Sequence, residues 1–478
     1  MSLEFEPVIG LEVHVQLKTK SKIFCACPTE FGAPPNTNTC PVCLGYPGSL
    51  PVLNHQAYLY GIRIGLALSC KIAERLKFDR KNYFYPDLPK AYQISQFDRP
   101  ICYEGHLVID TEEGEKTIGI TRAHMEEDAG KLLHEARDGS VVDFNRAGVP
   151  LVEIVSEPDL RNPEDAYQYL TSLKSILQYI EVSDCDMEKG SLRCDANVSV
   201  RPKGESKFGT KVEIKNLNSF NAVKKALYYE IERQSEAVRN KEKIRQETRL
   251  WNDVKSITIP MRSKEEAHDY RYFPEPDLVP FTVSRELVRQ TEDSLVELPR
   301  ARKLRFMKDF GLSEYDARVL TQEKKLAHYF EDSVREGASP KMASNWIQSE
   351  LLGKMYERGE TLETVKVTAA SLAGLTQLIE KATISGKIAK DVFIEMLETG
   401  RTAQEIVKEK NLVQVTDESA IQKAAEAVLA ANPKSVEDYK KGKTNALTYL
   451  MGQMMKETRG KANPAVANKV LKELLEKN

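Results

Sequence analysis

The densest group of possible metal ligands in this sequence is the segment HMEEDAGK, which begins at His124. Glu126, Glu127 and Asp128 follow one another there, and adjacent carboxylates repel each other unless water, a salt bridge or a cation compensates their charge. A solvated acidic turn is the simpler interpretation when such a cluster stands alone. Here other segments carry matching polar groups, so the cluster is a candidate site for a metal ion and phosphate groups.

The segment VIGLEVHVQL, residues 8–17, alternates apolar and polar side chains as a β-strand does. This period places Glu12 and His14 side by side on one face. A strand face exposed to solvent is the alternative interpretation. Because Glu and His are unusual choices for a plain exposed strand, the pattern favours a pair of metal ligands.

Two further segments show the same alternation. The polar face of LRCDANVSV carries Arg193 and Asp195, and that of TKVEIKN carries Lys211, Glu213 and Lys215. An antiparallel sheet with one wet side would explain such patterns without any function. Because separate elements each supply a carboxylate or a histidine, we favour a shared site that binds a metal and phosphates.

Two close pairs of cysteines lie on either side of a short Gly/Pro/Asn loop. Cys25 and Cys27 form a CxC pair, and Cys40 and Cys43 form a CxxC pair. Four thiolates complete a closed tetrahedral zinc site and leave no position for water, so a structural zinc is predicted. Four reduced thiols in a loop are the alternative. The scattered cysteines are most simply buried small side chains: Cys70, Cys102, Cys185 and Cys194.

Residues 77–101 interleave charges, aromatics and prolines without a helical or strand period. This composition is typical of an ordered loop that lines a cleft, where Lys77, Arg80 and Lys81 could meet phosphate. The alternative is a surface loop held down by three aromatic residues, Tyr83, Phe84 and Tyr85.

The remaining segments predict the elements that hold these groups. Residues 141–158 are expected to form strand, turn and strand, and residues 268–280 an irregular edge of the first domain. Helices are predicted over residues 55–69, from Pro163 after an Asn162 cap, and through about Arg239 after an Asn218-Ser219 cap. Further helices are predicted over 301–310, 325–336, 342–358 and 371–381. A composition shift near Val413 suggests a last small helical domain.

Size and composition indicate a globular protein of two or three domains, with 478 residues, 41% hydrophobic and 29% charged. The net charge of −2 gives no global attraction to nucleic acid, although residues 437–478 hold nine Lys/Arg and five Asp/Glu, a local +4. A solvated helical tail would also explain that patch. No apolar run approaches the roughly 20 residues that span a bilayer, and no export signal is evident, so the cytoplasm and reduced cysteines are expected.

Several catalytic motifs are absent from the sequence. There is no GxxxxGK[ST] phosphate-binding loop and no GxSxG nucleophile elbow. No cysteine has a sequence context that marks a thiol nucleophile. The chain is therefore not expected to release ammonia or to form an acyl-enzyme by itself.

Seven segments together resemble the GatB family, the B subunits of the bacterial tRNA-dependent amidotransferases that act on Glu-tRNA(Gln) and Asp-tRNA(Asn). They are VIGLEVHVQL, CPVCLGYPGSLPVLN, KFDRKNYFYPDLPKAYQISQ, HMEEDAGK, LRCDANVSV, EIKNLNSF and DYRYFPEPD. The resemblance implies an α+β fold: a mainly antiparallel-sheet cradle domain over residues 1–296, an all-α helical domain over 297–410 and a small all-α tail domain over 411–478.

The resemblance also implies the activity. ATP and Mg²⁺ would phosphorylate the side-chain carboxyl of Glu or Asp esterified to tRNA, and ammonia would then displace phosphate. The amidase partner of the family, its A subunit, would supply the ammonia. A small C subunit would complete the heterotrimer, and the tail domain would grip the tRNA.

The site residues that the resemblance implies follow the motifs. The Mg²⁺ ligands would be Glu12, His14 and Glu127, with Glu126 as the alternative to Glu127. Asp195 and Glu213 would be the carboxylates of the later strands, and Lys81 a candidate gate of the ammonia channel. The cations expected to bind the cofactor are Lys77, Arg80, Lys131, Arg193 and Lys211. The cysteine pairs match those that hold zinc in some members.

Two other interpretations compete with that of an enzyme component. One is a scaffold that only binds tRNA through its zinc and its basic tail. The other is an unrelated metal-dependent phosphohydrolase that acts on phosphoesters without tRNA.

Overall fold

The computed structural model describes residues 4–133, 139–262, 267–414, 418–443, 445–458 and 461–477. The chain forms two compact units that divide between Leu298 and Pro299. The first unit contains the strands and the second is helical, so the fold is mixed, with a large, mainly antiparallel sheet and a helical C-terminal region. Within the described residues, no helix has the length and apolar character needed to cross a membrane.

The strands of the first unit are β1 (Phe5–Gln16), β2 (Lys71–Ile72), β3 (Arg75–Leu76), β4 (Asp79–Asn82), β5 (Tyr92–Ser95), β6 (Cys102–Thr111), β7 (Gly114–Glu127), β8 (Lys131–Leu133), β9 (Val141–Asp143), β10 (Pro150–Ser156), β11 (Leu192–Pro202), β12 (Val212–Leu217), β13 (Thr248–Asn252), β14 (Ile257–Arg262), β15 (Phe273–Pro274) and β16 (Phe281–Thr282). Nine of them form one sheet in the order β14-β13-β12-β11-β1-β10-β7-β6-β2. Only the β12–β13 pair in this sheet is parallel among the described strands. Strand β1, the first in sequence, therefore lies near the middle, between β10 and β11.

The helices of the first unit are α1 (His55–Ala67), α2 (Pro163–Tyr179), α3 (Phe220–Arg239) and α4 (Arg285–Asp293). The start signals read from the sequence are confirmed. The Asn162 side chain accepts a hydrogen bond from the Asp165 N–H at 2.7 Å, with Pro163 in the first turn, and the Ser219 hydroxyl accepts one from the Ala222 N–H at 3.0 Å.

The apolar side chains of the central strands form one hydrophobic core with these helices. Leu11, Val13 and Val15 of β1 are almost fully buried there, together with Leu170 of α2 and Leu227 of α3. Because alternate residues of a strand point to opposite faces, this core directs the polar residues of β1 to the other face of the sheet. The core thus determines which side chains can meet at a polar site.

The region of residues 77–101 is more regular than predicted. It contains β4 and β5, which pair antiparallel and are joined by residues 83–91, and β15 adds a third strand beside β4. The prediction of a loop without strands was wrong here because each strand has only four residues, too few to show a period, and two prolines lie in the segment between them. The predicted strands within residues 141–158 are present as β9 and β10, but they belong to different sheets.

The helices of the second unit are α5 (Pro299–Phe310), α6 (Glu314–Leu320), α7 (Lys324–Arg335), α8 (Pro340–Trp346), α9 (Leu352–Arg358), α10 (Ala369–Glu380), α11 (Gly386–Thr399), α12 (Ala403–Glu409), α13 (Glu418–Ala431), α14 (Pro433–Lys440), α15 (Asn445–Glu457) and α16 (Pro464–Lys477). The single helix expected over residues 342–358 is interrupted by a π-helical turn, Ile347–Leu351, which separates α8 from α9. Side chains of α5–α12 share one buried apolar cluster, and side chains of α13–α16 share another.

The basic patch at the C-terminal end is partly neutralised within its own helices. Lys441 pairs with Glu437 at 2.6 Å and Lys443 with Asp438 at 2.9 Å. Arg459, which contributes to the local positive charge, lies outside the described residues.

A buried ionic network fixes α3 against the edge of the large sheet. Glu230 is fully buried, and its carboxylate accepts hydrogen bonds from Arg233 Nε at 3.0 Å, Gln234 Nε2 at 2.9 Å and Thr258 Oγ1 at 2.8 Å. Arg249 Nε lies 3.6 Å from the same carboxylate. Removing one partner of a buried pair is costly because the other charge stays buried without compensation.

We therefore expect Glu230→Ala to lower the free energy of unfolding of the first unit by about 3–5 kcal/mol. The fluorescence of Trp251, in a Trp346→Phe background, reports this unit during denaturation by urea. Glu232→Ala is the matched control, because Glu232 is 68% exposed and its ion pair with Arg239 contributes about 1 kcal/mol or less. Equal losses in the two variants would contradict the network's role.

Candidate functional site

The polar face of the large sheet brings the predicted strand residues into one plane. In the strand register, Glu12 of β1 lies opposite Asp195 of β11, and His14 lies between Arg193 on one side and Glu153 of β10 on the other. The face predicted from the alternation of β1 and β11 is therefore continuous across neighbouring strands.

A compact group of four titratable side chains lies at its centre. His14 Nε2 is 3.3 Å from Glu153 Oε2 and 3.8 Å from Glu126 Oε1, and His124 Nε2 lies 3.4 Å from Glu153 and 3.7 Å from Glu126. We call His14, Glu126 and Glu153 the His-Glu-Glu cluster; one possible ligand atom from each lies within 4.8 Å of the others. Ser95 Oγ donates to Glu126 Oε2 at 3.3 Å.

The electrostatics of this cluster follow from burial and mutual compensation. Burial would lower the pKa of His14, but the carboxylates of Glu153 and Glu126 outweigh it and raise that pKa to about 9. Burial would raise the pKa of both carboxyls, but the imidazoles facing them keep the pKa of Glu126 and Glu153 below the usual value. One imidazole nitrogen and two carboxylate oxygens suit a divalent cation that accepts mixed nitrogen and oxygen ligands.

Glu153 is the site residue that sequence reasoning missed. It is the one charged residue of the segment PLVEIVS, and its neighbours Val152 and Ile154 are fully buried. A single acid in an otherwise apolar strand was the available signal, because a buried charge requires a partner.

The carboxylate that lies beside His14 is that of Glu126, not that of Glu127. Successive residues of a strand point to opposite faces, so the two carboxylates diverge. Glu127 Oε2 accepts from Lys90 Nζ at 2.7 Å, and its Oε1 accepts from the Ile94 N–H at 2.8 Å. Of the two alternatives that the sequence left open, the geometry of β7 places Glu126 beside His14.

The other predicted carboxylates form a second group around a lysine. Lys215 Nζ pairs with Asp195 and lies 3.5 Å from Glu213 Oε1. Burial would lower the pKa of Lys215, but Asp195 and Glu213 raise it. Glu12 accepts a hydrogen bond from Asn197 Nδ2 at 2.8 Å and is not among the ligand atoms of the His-Glu-Glu cluster.

Asp128, the last acid of the HMEED motif, orients an arginine. Its buried carboxylate accepts from Arg193 Nη2 at 2.8 Å and from Gln16 Nε2 at 2.7 Å. Burial would raise the pKa of Asp128, but Arg193 and Arg146 lower it. Arg193 therefore lies on the polar face as predicted, held by Asp128.

The predicted cations of residues 77–81 divide into two groups. Lys81 Nζ lies 4.8 Å from the Tyr270 ring centroid. Burial would lower the pKa of Lys81, but the carboxylates of Glu126 and Glu153 raise it. Lys77 instead pairs with Asp79 at 2.9 Å, and Arg80 pairs with Glu275 at 2.7 Å. Lys77 and Arg80 are thus held in ion pairs.

The two remaining predicted cations are peripheral. Lys131 is exposed on β8, and Lys211 is exposed immediately before β12. The polar face of β12 begins with Glu213, so the predicted alternation does not include Lys211.

A cavity of about 630 Å³ lies beside Glu213 and Lys215. Its size falls in the range of small-molecule sites. It is lined by Lys81, Asn82, Tyr83, Phe84, Tyr85, Asp87, Ala129, Glu213, Lys215, Thr248, Asp269, Tyr270 and Arg271.

The four clustered cysteines converge as their spacing predicted. One sulfur atom from each of Cys25, Cys27, Cys40 and Cys43 lies within 4.8 Å of the others, which fits a tetrahedral metal ion. Hydrogen bonding from Cys25 lowers the pKa of Cys43. The fully buried Lys22, which the sequence did not reveal, places its Nζ 3.6 Å from Cys43 Sγ. The scattered cysteines are buried free thiols, as predicted: Cys70, Cys102, Cys185 and Cys194.

Comparison with known proteins accounts for nearly the whole chain. The model of the "GatB/GatE catalytic domain" matches residues 7–289, and that of the "GatB domain" matches residues 328–475. The chain is 58% identical over 475 residues to the B subunit of the aspartyl/glutamyl-tRNA(Asn/Gln) amidotransferase of Caldanaerobacter subterraneus subsp. tengcongensis, covering 99% of this chain and 100% of that relative.

Other relatives bear the same name. The protein of Carboxydothermus hydrogenoformans is 55% identical over 478 residues, with 99% of each chain covered. That of Geobacillus thermodenitrificans is 55% identical over 475 residues, 99% of this chain and 100% of the relative. The resemblance read from the motifs is confirmed, and the chain belongs to the GatB family.

Proposed function

We propose that this chain is the B subunit of an aspartyl/glutamyl-tRNA(Asn/Gln) amidotransferase. In this role it is an ATP-dependent carbon–nitrogen ligase that converts Glu on tRNA(Gln), or Asp on tRNA(Asn), to the amide. Full-length similarity to relatives of that name supports the proposal. The observation that carries it is the His-Glu-Glu cluster, in which both carboxylates are buried and one ligand atom from each residue lies within 4.8 Å of the others.

The reaction requires activation because a side-chain carboxylate is a poor electrophile. Transfer of the γ-phosphoryl group of ATP to the carboxylate gives an acyl phosphate, and ammonia then displaces phosphate. His14, Glu126 and Glu153 would hold Mg²⁺, which supplies positive charge for the phosphoryl oxygens. This donor set fits a divalent cation, and metal binding requires His14 in its neutral form.

The protein's own cations would complete the electrostatic environment. Lys81 keeps its proton opposite Glu126 and Glu153 and can pair with the transferring phosphate. Arg193, oriented by Asp128, offers a planar donor on the same face. Lys81 is also the proposed gate for incoming ammonia. The proposed roles of Glu12, Asp195 and Glu213 are to position the nucleotide with its cation near the 630 Å³ cavity.

The cysteine cluster is proposed to hold structural zinc. The four sulfurs fill all positions of a tetrahedral ion, so no open position remains for catalysis. Zinc would fix residues 25–43, a polar segment that has little apolar material with which to fold by itself.

The proposed partners are an amidase (the A subunit), a small C subunit and the acylated tRNA. The absence of hydrolytic motifs in the sequence supports a separate source of ammonia. The proposed domains are a cradle domain (1–296), a helical domain (297–410) and a tRNA-binding tail domain (411–478). The separate apolar clusters of α5–α12 and α13–α16 support the second boundary.

Glu153→Gln tests the central proposal. In the reconstituted heterotrimer, ATP-dependent phosphorylation of Glu-tRNA(Gln) without an ammonia source should fall about 100-fold or more, because charge stabilisation worth several kcal/mol is lost. Glu157→Gln is the matched control, since Glu157 is exposed just after β10 and should leave the rate unchanged. Full activity of Glu153→Gln would favour the tRNA-binding scaffold instead.

Substitutions of the adjacent residues Glu126 and Glu127 should have different effects on the Mg²⁺ dependence of phosphorylation. Glu126→Gln is expected to raise the Mg²⁺ concentration for half-maximal phosphorylation at least about tenfold, as even outer-shell partners of a metal contribute 10–100-fold. Glu127→Gln should leave this concentration unchanged, because its carboxylate contacts Lys90 and Ile94. A titration of rate against Mg²⁺ measures both. The reverse order of the two variants would contradict the proposed ligand set.

Zinc content provides a test that does not depend on activity. Elemental analysis of the purified chain should find about one zinc per molecule, and Cys27→Ser should lose it and unfold at lower temperature. Cys185→Ala, a buried cysteine outside the cluster, should keep the metal. Zinc-free wild-type protein of unchanged stability would refute the structural role.

A further inference from the structure

Phe84 is the most exposed phenylalanine among the described residues, with 84% of its surface accessible. It lines the 630 Å³ cavity that also contacts Glu213 and Lys215 of the polar sheet face, as well as Lys81. An aromatic ring that stands in water at the mouth of a polar cavity is available for a ligand with a flat surface.

The segment that carries this ring is anchored on both sides. Before it, the Tyr83 ring packs edge-on against Tyr270 at 5.6 Å between centroids. After it, the N–H of the buried Leu88 donates to the Tyr85 carbonyl at 3.0 Å, and the Asp87 carbonyl accepts from the Gly130 N–H at 2.9 Å. The fold therefore presents Phe84 to solvent from a fixed backbone.

We infer that Phe84 is the stacking surface for an adenine ring, that of the 3′-terminal nucleotide of the acylated tRNA. The inference rests on the proposed function, because it requires the aminoacyl ester to enter the cavity. The side-chain carboxyl must reach the polar face, while the ester joins it to the terminal ribose. The base attached to that ribose then lies at the mouth, where an aromatic ring can receive its π-face.

The cavity is lined by three cations and three acids, so the cation that can contact a phosphate of this ligand is the exposed one, Arg271. Arg271 is exposed and lines the cavity with Phe84 and Lys81. Positive side chains interleaved with aromatic rings are the usual means of holding single-stranded nucleic acid, since the cations meet phosphates and the rings meet bases.

ATP carries the same adenine ring, so the position of Phe84 decides between the two sources. A free nucleotide can be enclosed completely by a cavity. The end of a tRNA must leave the cavity toward solvent, because the rest of the molecule lies outside. A ring that is mostly exposed at the mouth suits the tRNA end.

The test uses the complete heterotrimer and Glu-tRNA(Gln) whose terminal adenine is replaced by fluorescent 2-aminopurine. Binding should quench the fluorescence in the wild-type complex and in Phe84→Trp, and the quench should be lost in Phe84→Ala. Phe31→Ala is the matched control, because Phe31 is 74% exposed but does not line the cavity. The Michaelis constant for Glu-tRNA(Gln) should rise about tenfold in Phe84→Ala, while that for ATP and the rate at saturation stay unchanged.

A second arm uses 2-aminopurine riboside triphosphate in place of ATP. A Phe84-dependent quench of this nucleotide, or a raised Michaelis constant for ATP alone, would overturn the assignment to tRNA. An unquenched tRNA probe would overturn it as well. If the wild-type complex phosphorylates Glu-tRNA(Gln) in either case, only this inference fails. If it does not phosphorylate at all, the proposed function fails.

Discussion

Two imidazoles and two carboxylates face one another on the polar side of the large sheet, and their mutual compensation of charge is the constraint on which the site depends. Isolated charges at this depth would be strongly unfavourable. His14 and His124 lower the pKa of Glu126 and Glu153 and so favour their ionised forms. These carboxylates in turn raise the pKa of His14, so that it keeps a proton when no cation is bound. In the proposed function, a divalent cation bound to this cluster would have to displace that proton from His14.

The sheet makes this arrangement possible through register. Strand β1 lies between β10 and β11, so His14 meets Glu153 from one neighbour while Glu12 lies opposite Asp195 from the other. The apolar residues of β1 pack with α2 and α3, which fixes the face to which its polar residues point. A slip of one residue would exchange the two faces, so the hydrophobic core and the site are specified together.

Much of this site could be predicted from sequence, because alternation within one strand is a local property. It identified the polar faces of β1 and β11, and the cysteine spacing identified the sulfur cluster. The choice between Glu126 and Glu127 could not be predicted, since it depends on the phase of β7 relative to its neighbours. Glu153 was missed because its partners are distant in sequence.

The ion pairs of the predicted lysine and arginine ligands could not be predicted from the sequence either. Lys77 and Arg80 were expected to meet phosphate, yet each is held in an ion pair, Arg80 with a residue nearly two hundred positions away, Glu275. The sequence does not distinguish a charged side chain that forms an ion pair from one that points into a site. The spacing of apolar residues predicted several helices of the second unit. It did not predict the π-helical turn between α8 and α9.

The most direct test of the account is a spectroscopic measurement of the metal's ligands. Mn²⁺ bound in place of Mg²⁺ can be examined by pulsed electron paramagnetic resonance, which detects nitrogen atoms coordinated to the ion. The account predicts one manganese ion with a coordinated imidazole nitrogen, and loss of that nitrogen signal in His14→Ala. A tightly bound manganese ion without a nitrogen ligand, or with one that persists in His14→Ala, would contradict it.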